Sequence, residues 1–235
     1  MKKGRWWIGY VPVAAVVLML ALTLAAITSR AATVFSENRP FAGRHCFVID
    51  AGHGGEDGGA TSCTGILEST FNLDIALRLD AIFHLLGYQT KMIRTTDTAI
   101  HTQGSTIAAR KASDLKERVR IANTTENAVL VSIHQNYFQE SAYSGAQVFY
   151  PKTSESEILA SKLQNAFRAT LNPGSTRKEK AATGVYLMEH ISCPGVLIEC
   201  GFLSNPEEEA KLRSAGYQKQ LCCVIAVTLG AHFAS

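Results

Sequence analysis

From residue 45 onward, short continuous apolar runs alternate with longer stretches whose apolar residues recur at helical spacing. HCFVID (45–50), AVLVSI (128–133) and GVLIEC (195–200) are such runs. A run with no polar alternation is what a strand covered on both faces requires. YQTKMIR (88–94), GAQVFY (145–150) and VYLM (185–188) read as further strands. Between them lies a helix over 68–86, with Ile75, Leu79, Ile82, Phe83 and Leu86 on one face and Gly87 as its stop. A second helix is expected from about Asp114, where Asp114 and Glu117 have capping-box spacing. A third covers 154–171, Asn205-Pro206 opens a short fourth, and 217–233 carries Leu221, Val224, Ile225 and Leu229 on one face of a fifth. Strands alternating with helices predict an α/β fold. The expectation is one domain, with a mostly parallel, mixed sheet of about six strands flanked by helices on both faces.

The segment before that domain is different. Residues 8–27 form twenty residues without a charge, long enough to cross the hydrocarbon core as a helix. Lys2, Lys3 and Arg5 precede it, and Trp6, Trp7 and Tyr10 lie where interfacial aromatics sit. Residues 1–30 are therefore expected to be a signal anchor with a transmembrane helix at about 8–27, in preference to a cleaved signal peptide. Residues 31–44, polar and containing Pro40 and Gly43, read as a stalk, and 45–235 as the exported domain. The positive-inside bias places that domain on the outer face of the cytoplasmic membrane. The formal charge of +3 comes from this end: without Lys2, Lys3, Arg5 and Arg30 the chain holds 19 basic and 20 acidic residues. Such a balance excludes a nucleic-acid-binding surface. A 46% hydrophobic composition excludes a disordered chain.

Six cysteines in an exported domain raise the question of disulfides. Their spacing is not that of a framework, and no C-x-x-C pair exists. Cys46 and Cys200 lie in apolar strands and Cys222 and Cys223 on a helix, so buried free thiols are expected. Cys63, in a polar loop, is the exception.

Ligands of open α/β sheets bind beyond the carboxyl ends of the strands. FVID runs into Ala51-Gly52-His53, AVLVSI into His134 and GVLI into Glu199, while Glu68 opens the first long helix. Two histidines and a carboxylate with an open position make a recurrent catalytic zinc set. Each residue has a plainer reading. Either histidine suits a structural hydrogen bond, and Glu68 suits the dipole of a helix start. Glu199 is harder to dismiss, because a carboxylate inside an apolar run is costly unless paired or functional. Glu56, Asp57, Glu189 and His190 are rivals for the same roles. DAGHGGEDGGA is not a dinucleotide loop, because Asp57 stands where the third glycine is needed, and no G-K-[ST] follows. A thiol hydrolase using Cys200 with His134 as base is conceivable, but the end of an apolar strand is the usual place of an inert thiol.

IDAGHGGEDGGA, LEST-FNLDIALRL, LKERVRIAN, VSIHQN and LIECGFLSNPEE occur in order between residues 45 and 232. They resemble the motifs of the zinc-dependent N-acetylmuramoyl-L-alanine amidases of the Amidase_3 family, bacterial peptidoglycan hydrolases. ARKASDLKERVRIAN, YSGAQVFY and STRKEKAATGVYLMEHISCPGVLIECGFLSNP resemble its spore-cortex, germination-specific (CwlD-type) subgroup. Ala51 departs from the pattern, standing where proline is common. The resemblance implies one Zn2+ held by His53, Glu68 and His134, with Glu199 as the catalytic residue. It implies cleavage of the amide between muramic acid and L-alanine in spore-cortex peptidoglycan, a step towards muramic-δ-lactam and germination. It places the domain in the forespore intermembrane space. It also implies that 151–184 is too short for the site-blocking helix of division amidases. No wall-binding repeat is seen, so targeting falls to the membrane anchor or to a lipoprotein partner. The alternatives are a vegetative wall amidase of growth or division, and a non-catalytic peptidoglycan-binding protein on an amidase scaffold.

Overall fold

In the computed structural model, which describes residues 45–233, the first apolar run becomes strand β1, Cys46–Ala51. The periodic stretch after it is helix α1, Glu68–Leu85, followed by β2, Gln89–Met92. Helix α2 is Ile107–Thr124, and β3 is Ala128–Asn136. Strand β4, Gln147–Tyr150, leads into α3, Ser154–Thr170. The chain continues through β5, Lys180–Ala181, α4, Tyr186–His190, and β6, Gly195–Phe202. Helices α5, Pro206–Arg213, and α6, Ala215–Phe233, complete it. The membrane segment expected at 8–27 and the stalk at 31–44 lie outside the described residues. Among the described residues, no helix is long and apolar enough to cross a membrane.

The six strands form one mixed sheet in the order β2-β1-β3-β6-β4-β5. β1, β2, β3 and β6 run parallel, and β4 pairs antiparallel with β6. The reversal has a simple cause. A parallel connection needs a crossover element, usually a helix; only an irregular segment joins β3 to β4, so β4 returns in the opposite sense. Helices α1, α3 and α6 cover one face, and α2 with α4 covers the other. On the first face Phe47 stacks on Phe83 with ring centroids 4.1 Å apart and meets Tyr88 and Phe233 edge-on. Burying one such ring stabilises the fold by about 1.5–3 kcal/mol.

Two expected elements are corrected. VYLM is not a strand: Tyr186–His190 is a helical turn, with Leu187 and Met188 buried and Tyr186 stacked on His190 one turn later. A four-residue apolar run has no period that separates strand from helix. The sixth strand is instead the exposed, two-residue Lys180–Ala181, which carries no apolar signal. The second helix starts seven residues before the proposed cap, at Ile107, with the Thr106 hydroxyl accepting from the Ala109 N–H. Asp114 lies inside it, accepting from the Ile100 N–H and from Arg118. All six cysteines are free. Cys63 is exposed as expected, and Cys223 is exposed as well.

Candidate metal centre

The sheet order places β2 on one side of β1 and β3 on the other, so the crevice of the fold opens at the carboxyl ends of β1 and β3. His53 follows β1, and His134 sits near the end of β3 at a break in its register with β6. Glu199 is the register partner of His134 on β6. Glu68, the first residue of α1, is brought to the same crevice and is buried. His53 Nε2 lies 3.3 Å from Glu68 Oε2, and His134 Nδ1 lies 3.0 Å from Glu68 Oε1. One donor atom from each of the three lies within 4.8 Å of the others. The rings of His53 and His134 meet edge to face, 5.0 Å between centroids.

The surrounding chain holds this trio in place. Asp57 Oδ2 sits 3.0 Å from His53 Nδ1, the carboxylate–imidazole contact that fixes a ligand's tautomer and leaves Nε2 for a metal. Glu68 accepts from the N–H groups of Ala60 and Gln135 and from the Asn72 amide. His53 itself has φ 60°, a left-handed conformation uncommon outside glycine. Two buried arginines clamp that strained turn. Arg94 donates to the carbonyls of Ala51, Gly52 and Ser69. Arg118 pairs with Asp50 and donates to the carbonyls of Ala51 and His53. Glycine is required at two points. A Cβ on Gly52 would lie 2.2 Å from His134 Nε2, and one on Gly59 would lie 2.6 Å from Glu68 Oε2.

The electrostatics follow from this packing. Burial opposes ionisation of Glu68, but hydrogen bonds and charge from His134 and His53 outweigh it and hold the carboxyl well below its ordinary range. Burial likewise opposes the charged form of His53, yet Glu68 and Asp57 raise its pKa. Glu199 behaves oppositely. Burial, aided by the charge of Glu68 and opposed by both histidines, pushes it up to about 7. Its Oε2 is buried with no hydrogen-bond partner. An unpartnered buried carboxylate oxygen beside a His–Glu–His trio fits a site completed by a cation and a water.

The four residues expected from the sequence therefore converge, and the rivals separate. Asp57 supports His53. Glu56 pairs with Arg110, while Glu189 and His190 are engaged with the backbone of Gly184 and Tyr186. Cys200 is fully buried, and burial raises its thiol pKa well above the ordinary value, so it is no nucleophile. The sequence reading missed Arg94, Arg118, Asn72 and Gln135. The available signal was Asn72 one helical turn after Glu68, and an arginine on the covered face of α2.

A switch-point crevice with a His–Glu–His trio and a raised, orphaned glutamate has the donor set of a hydrolytic metal centre. The chain belongs to the Amidase_3 family, the N-acetylmuramoyl-L-alanine amidases, which it matches over residues 47–230. It is thus a peptidoglycan hydrolase that acts at the amide of N-acetylmuramoyl-L-alanine. It is 38% identical over 188 residues to the germination-specific N-acetylmuramoyl-L-alanine amidase of Bacillus subtilis (strain 168), covering 79% of this chain and 78% of that protein. It is 30% identical to LytC of the same organism, covering 76% of this chain but 33% of LytC. Its fold is similar to the CwlD amidase of Clostridioides difficile, solved in complex with the GerS lipoprotein. That match has a TM-score of 0.77 and 32% identity, over 80% of this chain and 98% of that one.

Proposed function

We propose that this amidase is zinc-dependent and strips stem peptides from spore-cortex glycan, preparing muramic acid for conversion to muramic-δ-lactam. The observation that carries the zinc reading is the convergence of His53, Glu68 and His134 beside the buried, unpartnered Glu199 oxygen. His53, Glu68 and His134 would hold the ion. Bound there, zinc supplies a Lewis acid for the scissile carbonyl and an activated water at neutral pH. Glu199 takes a proton from the attacking water and delivers it to the departing alanine nitrogen, acting as general base and then general acid. Burial favours the protonated form of Glu199, as suits a carboxyl that must hold the proton between the two transfers. The Asp57 contact keeps His53 oriented, and the arginine clamp holds the turn that presents it.

The cortex role is supported by the similarity to the germination-specific relative and to the lipoprotein-bound CwlD. Residues 8–27 anchor the enzyme in the cytoplasmic membrane with its domain outside, and a lipoprotein partner supplies regulation. Expression confined to sporulation separates this role from vegetative wall turnover.

Zinc content and stem-peptide release from cortex peptidoglycan test the proposal, on the full chain and on Glu199→Gln. The wild type is expected to hold one zinc and release peptides. The variant keeps its zinc and loses roughly 10²–10⁴-fold in rate. A wild type that binds no zinc and stays inert when zinc is added sinks the reading.

A further inference from the structure

Helix α5 buries two carboxylates side by side. Glu208 and Glu209 are 4% and 1% exposed, while Glu207 beside them faces solvent. The dipole of a helix start favours acids at all three positions, but it does not call for burial. A buried carboxylate is costly unless its partners offset the lost water. Those partners indicate what the burial accomplishes. Glu208 accepts from the Gly145 N–H at 2.7 Å, and so holds the segment that enters β4. Glu209 accepts from the Thr64 hydroxyl at 2.6 Å and from Arg213 at 3.1 Å.

Thr64 stands at the tip of the hairpin that leads into α1. Thr61 and Leu67 form an antiparallel bridge, the Ser62 N–H donates to the Ile66 carbonyl at 2.8 Å, and Gly65 turns the chain with φ 89°. The hairpin closes on Glu68 itself. The Glu68 N–H donates to the Ala60 carbonyl at 2.8 Å, and the Ala60 N–H returns to Glu68 Oε2 at 3.0 Å. That oxygen is the one 3.3 Å from His53 Nε2.

A second bond pins the same tip. The Cys63 N–H donates to the Leu203 carbonyl at 2.9 Å. Leu203 follows the last residue of β6, the strand that carries Glu199. Two adjacent residues of the hairpin are thus tied to the corner between β6 and α5, one through backbone and one through Glu209. Glu68 leaves that contact on one side, and Glu199 enters it on the other.

We propose that Glu209 is a positioning residue. Through Thr64 it holds the hairpin against the corner after β6, and so sets the Glu68 carboxylate relative to Glu199. The chemistry suits the task. Thr64 is exposed, where water competes for its hydroxyl, and an ionised acceptor makes a stronger bond than a neutral one. Burial and Arg213 keep that acceptor in one place. Glu209 acts through Thr64 and is not a metal ligand. Its effect on activity rests on the zinc-amidase reading; its effect on the hairpin does not.

The test uses the full chain with Thr64→Val, which removes the hydroxyl at an exposed position, and Thr64→Ser, which keeps it. In metal-free protein, exchange of the Ala60 amide hydrogen should quicken about tenfold in the valine variant, as for one lost hydrogen bond in a local opening. The melting temperature of the metal-free chain stays the same. Zinc affinity by equilibrium dialysis falls about tenfold, as for a disturbed supporting contact. At saturating zinc, kcat for stem-peptide release falls while KM holds. Thr64→Ser restores exchange, affinity and kcat. Glu209→Ala lowers zinc affinity as Thr64→Val does, and the double variant loses little more, because both remove one tie. Wild-type exchange and affinity in Thr64→Val, failure of the serine variant to restore them, or fully additive losses in the double variant overturn the assignment. A wild type that binds no zinc counts against the zinc reading, and Ala60 exchange then decides the tie by itself.

Discussion

Both oxygens of Glu68 are committed, one beside each histidine, and three further donors from the backbone and Asn72 hold the carboxylate still. A site with so little slack is sensitive to single atoms. Gly52→Ala puts a methyl 2.2 Å from His134 Nε2, so the ring must shift. The expected result is a zinc affinity lowered by about 10–100-fold, as for disturbed supporting contacts, with an unchanged far-ultraviolet circular dichroism spectrum; equilibrium dialysis reads the affinity. Asp50 makes a pH prediction. Burial opposes its ionisation, but the Arg118 charge, the His134 charge and hydrogen bonds from Ser132 and Arg118 lower its pKa. A carboxyl depressed in the folded state contributes stability above its unfolded value of about 3.9, and loses it as pH falls through the folded value. Acid titration of wild type should therefore show stability falling below about pH 4. Asp50→Asn should show a shallower fall from a plateau lower by about 1–3 kcal/mol, since the buried Arg118 loses one of its two carboxylate partners and keeps Asp114.

At the scale of elements, the site depends on where helices begin. Helix α1 places Glu68 at its first position, so its start is part of the proposed metal centre. Helix α5 is fixed by Asn205, whose Oδ1 accepts from the N–H groups of Glu207 and Glu208 while its amide donates to the Tyr143 carbonyl. Asn205→Ala should lower stability by about 1 kcal/mol. Urea denaturation would show this as a lower midpoint at unchanged slope. The elements legible in the sequence were those with a long period or a continuous apolar run, as in α1, β3 and β6. Helix α2 was read late because IAARKAS, its first two turns, is largely exposed and shows little apolar periodicity. Helix α4 was misread because four apolar residues fit either geometry.

Across the whole molecule, the proposed ligands His53, Glu68 and His134 come from three elements, so an ion held by them would cross-link the fold. Zinc at about 100 times its dissociation constant adds about 2.7 kcal/mol. For a domain of this size each kcal/mol moves the melting temperature by about 2–4 °C. Calorimetry with and without chelator should show a drop of roughly 5–10 °C for wild type and Glu199→Gln, and almost none for His134→Ala. An unchanged melting temperature on chelation would remove zinc from the structural account.

The strand–helix alternation was legible because periodicity is a local property, carried by residues a few positions apart. The same holds for the polar residues at the ends of apolar runs, which marked His53, His134 and Glu199. Their convergence was not local. Strand order set which ends are neighbours, and it put β1 against β3 and β3 against β6. Only packing showed that Arg118 is a buried clamp, that Asp57 supports His53 where it had read as a rival, and that Cys200 faces the core. An arginine on a helix face is the same residue in sequence whether solvent or a strained turn lies opposite. What lies opposite is decided by chain tens of residues away.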